Sequence, residues 1–393
     1  MDLLLISVVA VIAIALVFDF TNGFHDAANS VATVVATRAL PAKWAPAFSA
    51  FFNFLAYFVV GTAVANTIAK TVKTDYDGVA ITFAALFAAV AWNYVTWRFG
   101  MPSSSSHAII GGLVGAGIAA GGLDAIDWSS VQKAGIGIIL SPAVAFGIAF
   151  IAMYLVLGIQ RLTKMHDNHP VFKGFQLVSA AAVSFGHGAN DAQKTMGVIA
   201  ALLLGAGYSE MGADGKTIVV PEWVALSAYG AIALGTLWGG WKIIETMGLR
   251  LTTLHANSGL AANVGATTAI FGATAVGMPI STTHAAASSI VGAGIGSGKG
   301  ANWKVVGEMV LAWVITIPAA ATVAFIMFHL TQLPLVLAFV AVGAVILAFG
   351  AWAVWAMLHT VHAEDIEAEI LPEAVLAEHV PGRPHIEGRS PVE

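Results

Sequence analysis

Two short hydroxyl-rich stretches carry the chemistry most readily read from this chain: Ser103 to Ser106 in "GMPSSSSHAIIGGLVGAG" (100–117) and Ser281 to Thr283 in "GMPISTTHAAASSIVGAG" (277–294). A proline precedes the hydroxyls in each. Proline at the first helical position gives up only a donor that would be orphaned anyway, so Pro102 and Pro279 are expected to open new helical turns. Ser104, Ser105, Ser106, Ser281, Thr282 and Thr283 then sit where free backbone N–H groups and hydroxyls converge. A helix N-terminus furnished in this way is an anion site, and two such ends facing each other can hold a tetrahedral oxyanion from both sides.

Two aspartates supply the opposite sign. Asp26, in "FTNGFHDAAN" (20–29), has His25 and Asn29 beside it; Asp191, in "FGHGANDAQK" (185–194), has Asn190 and Lys194. A carboxylate at membrane depth is expensive and by default functional. Two of them near an anion repel it unless a proton, sodium or a metal ion lies between, so anion and cation are expected to bind together. His107 and His284 close the two hydroxyl stretches and are expected either to support them or to act as direct ligands, while His25 and His187 are expected to hydrogen-bond neighbouring backbone, proton shuttling near neutral pH being the alternative.

The elements that must hold these groups are membrane helices. The chain has 393 residues, 58% hydrophobic and 10% charged, with a mean hydropathy of +0.83, whereas soluble domains carry about 25% charged residues. It reads as an all-α integral membrane protein. The absence of cysteine excludes disulfides and thiol chemistry, and no basic surface points to nucleic acid. The net charge of -5 owes much to the C-terminal end, with Glu364, Asp365, Glu367, Glu369, Glu373 and Glu378. The first apolar run, Leu3 to Phe18, lacks a basic leader and a small-residue cleavage site, and is expected to stay in the membrane.

With roughly 20 apolar residues per crossing, spans fall near 3–37, 44–66, 79–98, 102–121, 131–158, 175–207, 221–241, 255–275, 278–297, 303–329 and 334–358, or 10–12 transmembrane helices in all. The first and sixth are too long for one simple crossing and polar midway, which predicts broken helices.

The order of motifs repeats. The two serine-containing stretches align without gaps, with ten of eighteen positions identical, and the upstream pair places Asp26 over Asp191. The chain therefore divides into a first repeat (1–159), a polar cytoplasmic linker (160–173), a second repeat (174–330), an additional helix (334–358) and an acidic tail (359–393) expected to be disordered. If the linker is cytoplasmic and each serine-rich segment crosses once, Arg38, Lys43, Arg98, Arg161, Lys164, Lys173, Lys242, Arg250, Lys299 and Lys304 fall inside, leaving Lys70, Lys73, Lys133 and Lys216 outside, with five crossings between Asp26 and Asp191; re-entrant serine segments are the alternative, and would make that count even and weaken the bias. That bias obeys the positive-inside rule and makes the repeats inverted in topology, a plan of secondary transporters that bind substrate where the repeats meet.

"GFHDAANSVATVVATR", "GHGANDAQKTMGVIA", "GMPSSSSH" and "GMPISTTH", with "WNYVTWRFG" and "LAWVITIPAA" around them, resemble the duplicated signatures of the inorganic phosphate transporter (PiT) family over about residues 15 to 330. The resemblance implies phosphate import driven by a cation gradient, by alternating access, in a multi-pass protein of the bacterial inner membrane that is not an enzyme. It implies a dimer and no tightly bound cofactor. Phosphate would be held by Ser104 to Ser106 and Ser281 to Thr283, and cation coupling by Asp26, Asn29 and Asp191, with His25, Asn190, His107 and His284 in support.

One departure matters. Sodium-coupled members carry an Asn-Asp-Val-Ala-Asn-Ala pattern in the second motif, whereas this chain reads "NDAQKTMG", with Lys194 where the internal repeat has Asn29. It is most similar to the proton-coupled, low-affinity bacterial branch, thought to carry phosphate as a neutral complex with a divalent metal. Three residues on from Asp191, the Lys194 ammonium shares its helical face and is placed to replace a bound sodium. Sodium symport, a passive anion channel and an intramembrane metal-dependent hydrolase are the alternatives. The last lacks a His-Glu-x-x-His run.

Overall fold

The structure, a computed structural model, describes residues 3–73, 75–76 and 78–370. Its helices are α1 (Leu3–Asp26), α2 (Ala28–Ala36), α3 (Ala45–Leu55), α4 (Ala63–Ala69), α5 (Val79–Arg98), α6 (Ser105–Gly121), α7 (Trp128–Thr163), α8 (Pro170–Gly205), α9 (Glu222–Trp238), α10 (Trp241–Glu245), α11 (Ala256–Ala275), α12 (Thr282–Gly296), α13 (Trp303–Thr331), α14 (Leu335–Leu358) and α15 (Ala363–Ile370). Among the described residues, six continuous helical stretches are long and apolar enough to cross a membrane, and the bent pair α3/α4 makes a seventh. Among the described residues there is no strand, only two isolated bridges.

Of the two segments expected to break, the first does and the sixth does not. The first segment is interrupted only at Ala27, between α1 and α2, and α8 runs unbroken through its polar middle. The sharp bend, 88°, lies between α3 and α4, and a second interruption separates α9 from α10 at Gly239 and Gly240. The polar residues of α8 mark a service to neighbours rather than a break of their own. Gln193 Oε1 accepts from the backbone N–H groups of Val64 and Ala65 at 2.8 and 3.2 Å, satisfying donors that the N-terminus of α4 leaves orphaned.

Packing exchanges partners between the two halves. α1 lies along α9, with Gly23 against Ile232, Gly235 and Thr236, while α8 lies along α3 and α4, with Gly188 against Asn53 and Gly197 against Ala65. In the same manner α6 packs on α13, with Gly111 opposite Ile317 and Gly115 opposite Ala321, and α12 packs on α7, with Gly292 opposite Phe146 and Gly296 opposite Phe150. Glycine and alanine let these backbones approach without a hydrophobic driving force, which lipid does not supply. α1/α2 and α8 run antiparallel: Asn22 meets Asp191, and Thr37 meets Gln176.

α5 and α6 form a helical hairpin, with Gly112 facing Ala85 and Gly121 facing Tyr76, and α11 and α12 form the matching one. Each connecting loop opens on a glycine in the left-handed region, Gly100 (φ +65°) and Gly277 (φ +62°). The tips of the two hairpins meet, with the His107 and His284 rings 4.5 Å apart. α7 ends at Thr163 and α8 starts at Pro170, so the connection between the halves is short. Residues 363–370, expected to be disordered, form α15, with Ile366 buried and the Ile370 carbonyl accepting from Arg38. The rest of the acidic tail, from residue 371 on, lies outside the described residues.

Candidate functional site

Both hydroxyl stretches begin helices, but not at their prolines. The N-caps are Ser104 and Ser281, in extended conformation, and their hydroxyls accept from the backbone N–H groups of His107 and His284 at 3.2 and 3.1 Å. Pro102 and Pro279 stand two residues earlier, outside the helices. A serine that can cap its own helix outcompetes the residue before it for that position. Capping assigns Ser104 and Ser281 a local bond. Ser106 donates to the Ile280 carbonyl at 2.5 Å, tying one hairpin tip to the other. Ser105 and Thr282 are the hydroxyls that face the carboxylates.

Asp26 and Asp191 meet across the antiparallel contact of α1 and α8. Thr282 bridges them, its Oγ1 lying 3.3 Å from Asp26 Oδ2 and 3.2 Å from Asp191 Oδ2. Ser105 reaches Asp26 Oδ2 at 3.5 Å, and Asn22 donates to Asp191 Oδ2 at 3.4 Å. Asn29 donates to Thr282 and Thr283 at 3.3 and 3.2 Å. Lys194 Nζ stands 2.6 Å from Asp191 Oδ1, with both side chains fully buried.

His25 and His187 extend the site. His25 Nδ1 is 2.7 Å from Asp26 Oδ1, and its Nε2 faces Thr96 at 3.0 Å and Ser103 at 3.3 Å, bracing the first loop. His187 Nδ1 is 3.2 Å from Asn53 Oδ1. Asn53 is oriented by its Nδ2, which donates to Thr236 at 2.8 Å, so the oxygen faces His187 and Nδ1 is the donor. The other ring nitrogen, Nε2, then points at Asp191 Oδ2 (3.5 Å) and Asp26 Oδ2 (3.9 Å). In a neutral ring that nitrogen carries a lone pair. Against two carboxylates it calls for a positive charge. Asp26, His187 and Asp191 also present ligand atoms within 4.8 Å of one another, a geometry able to hold a metal ion.

The remaining residues position the loops. Asn190 donates to Thr274 and to the Met278 carbonyl at 2.9 and 3.3 Å, and accepts from Ile280 N–H at 3.4 Å. His284 stacks on Trp313 with ring centroids 3.8 Å apart, His107 Nδ1 lies 3.3 Å from the Trp313 carbonyl, and the Trp313 indole donates to the Pro102 carbonyl at 2.9 Å. One tryptophan thereby locks both tips.

The sequence reading did not place Asp19, Asn22, Thr96 or Thr195 in the site. Asp19 had an available signal: an acidic residue inside an apolar run, seven positions before Asp26 and hence about two helical turns away on the same face.

The model of the Phosphate transporter family matches residues 22–324. The chain is 44% identical over 329 residues, 83% of this chain and 96% of the relative, to the "Probable low-affinity inorganic phosphate transporter" of Rhizobium meliloti. It is 41% identical to the protein of the same description from Bacillus subtilis, over 85% of this chain and 99% of that one. A solved structure titled "The sodium-dependent phosphate transporter" superposes with a TM-score of 0.73 at 24% identity, covering 83% of this chain and 99% of the other, a likeness of fold.

Proposed function

This chain belongs to the phosphate transporter family, and from that membership we propose that it is a symporter, importing inorganic phosphate together with a proton by alternating access. It is a multi-span membrane transporter and not an enzyme. Phosphate at the ends of α6 and α12 receives hydroxyl and backbone N–H donors, with Ser105 and Thr282 innermost. It adds negative charge to a site that already holds Asp26 and Asp191 against the single fixed ammonium of Lys194.

The observation that carries the coupling is the place of His187, whose Nε2 lies between the two carboxylates. A proton there offsets the charge of the incoming anion. A divalent metal co-transported as a neutral metal–phosphate complex offsets it equally well, and the imidazole nitrogen and two carboxylate oxygens of His187, Asp26 and Asp191 suit such cargo. Lys194 supports the proton over sodium, because it occupies the position beside Asp191 that a mobile cation would take.

The exchange of partners between halves supports alternating access. Each hairpin packs on the last long helix of the opposite half, so rocking one half against the other moves both tips about the fixed pair of aspartates. Asp26→Asn and Asp191→Asn, each reconstituted in liposomes, test the proposal. Asp26→Asn is expected to fold and to lose concentrative phosphate uptake; Asp191→Asn leaves the Lys194 ammonium unpaired, so it is expected to be less stable as well as to lose uptake, and full uptake by both would refute the site.

A further inference from the structure

The polar face of α2 leads away from the two aspartates. Asn29, which donates to Thr282 and Thr283, is followed at four-residue intervals by Thr33 and Thr37, so the three share one helical face over about 12 Å. Thr33 donates to Asn263 Oδ1 at 3.0 Å and Thr37 to Gln176 Oε1 at 2.8 Å, while Gln176 donates back to the Thr33 carbonyl at 3.0 Å. Beyond this closure Thr37 lines a cavity of about 580 Å³ on the side of the connection between the halves, with Arg38, Asn168, Lys173 and His255 in its wall.

Two cations are built into that wall. Arg38 follows the C-cap of α2 and lies in the left-handed region (φ +54°), at a position where glycine is usual. Strain accepted in an arginine there points to a use for its side chain. Lys173 Nζ donates to the Arg38 carbonyl at 3.3 Å, and the Arg38 guanidinium donates to the Ile370 carbonyl. Both charges are thus held at the cavity by neutral acceptors. The acidic α15 closes over them and brings Glu369 to the wall, so the chain's own carboxylate lies where an anion would meet the two cations.

We propose that this cavity is a second anion site, which takes inorganic phosphate on the face that the distribution of Lys and Arg places in the cytoplasm. A guanidinium fork and an ammonium together suit phosphate oxygens. Because the cavity stands at the end of the polar face of α2, phosphate bound there obstructs release from the inner site and slows uptake as phosphate accumulates inside. That consequence alone rests on the transport reading.

The chain has no cysteine, so Ala36→Cys, in the cavity wall, supplies a single reporter. The full chain carrying it is labelled with a maleimide in phosphatidylcholine nanodiscs, in potassium phosphate and in potassium chloride at equal ionic strength. Phosphate at ten times its dissociation constant is expected to slow labelling about tenfold. Arg38→Gln is expected to abolish that protection, and Lys173→Gln to raise the phosphate concentration for half-protection about tenfold. Thr282→Val, which weakens the inner site, is expected to leave protection as it is. Equal labelling in the two salts, protection surviving Arg38→Gln, protection weakened by Thr282→Val, or protection obtained only by adding phosphatidylglycerol to the bilayer would each overturn the proposal. If Arg38→Gln does not fold, Lys173→Gln decides, and an unchanged half-protection overturns it. Uptake into phosphate-loaded liposomes is expected to be faster in Arg38→Gln than in the wild type, and equal rates would overturn the role in release. Absence of uptake in the wild type tells against the transport reading, while labelling still scores the cavity.

Discussion

Lys194 Nζ lies 2.6 Å from Asp191 Oδ1, with neither side chain exposed. A buried pair of this kind costs about 3–5 kcal/mol to break from one side, so Lys194→Met is expected to fold poorly. Lys194→Asn, which restores at this position the residue that the first repeat carries at Asn29, is expected to fold better in sodium than in choline and to make uptake sodium-dependent. Thermal unfolding and uptake in the two salts check both.

Thr282 is the hydroxyl shared by the two aspartates. Thr282→Val keeps the shape and removes the bridge and the acceptor for Asn29. Phosphate affinity should fall at least about tenfold, the worth of one or two hydrogen bonds to charged groups, with little change in Tm. Thr282→Ser should recover most of it. Equilibrium phosphate binding by the purified variants gives the numbers.

Much of this site was legible in the sequence because its groups are paired by repetition. The four motifs, the serines at helix starts and the Lys194 departure all follow from residue types at fixed spacing. The bridging role of Thr282, the place of His187 between the carboxylates and the exchange of helices between halves do not, because they depend on which helix faces which. Polar residues in the sixth segment were read as a break, yet α8 stays whole: its Gln193 caps α4, its Asn190 braces a hairpin tip and its Lys194 pairs with Asp191. A polar residue in a membrane helix reports a need for a partner, and sequence alone does not say whether its own backbone or a neighbour's has that need.

Close packing of the hairpins gives a separate prediction. A Cβ at Gly115 would overlap the carbonyl oxygen of Ala321, whereas one at Gly147, on α7, meets nothing within 4 Å. Gly115→Ala is expected to destabilise by about 1–3 kcal/mol through overpacking. Gly147→Ala should stabilise, by up to about 1 kcal/mol, through helix propensity. Unfolding of the two variants in one detergent, followed by circular dichroism, compares them.

The loop between α8 and α9 offers a control for pH. Backbone N–H groups of Thr217 and Lys216 hold the exposed Asp214 carboxyl down to about 2. A carboxyl depressed in the folded state contributes stability above its unfolded value, about 3.9, and loses it only as pH falls through the folded one. Between pH 7 and 5 this turn should not change, so Asp214→Asn is expected to leave the pH profile of uptake unaltered over that range.

Proton coupling through the site at Asp26, His187 and Asp191 is tested most directly by phosphate uptake into liposomes holding the purified protein, with equal sodium on both sides and a pH gradient, acid outside, imposed alone. The account predicts accumulation above the external phosphate concentration that collapses when a protonophore dissipates the gradient, and none when a sodium gradient is imposed at equal pH. Accumulation driven by the sodium gradient alone, or mere equilibration of phosphate under every gradient, would contradict it.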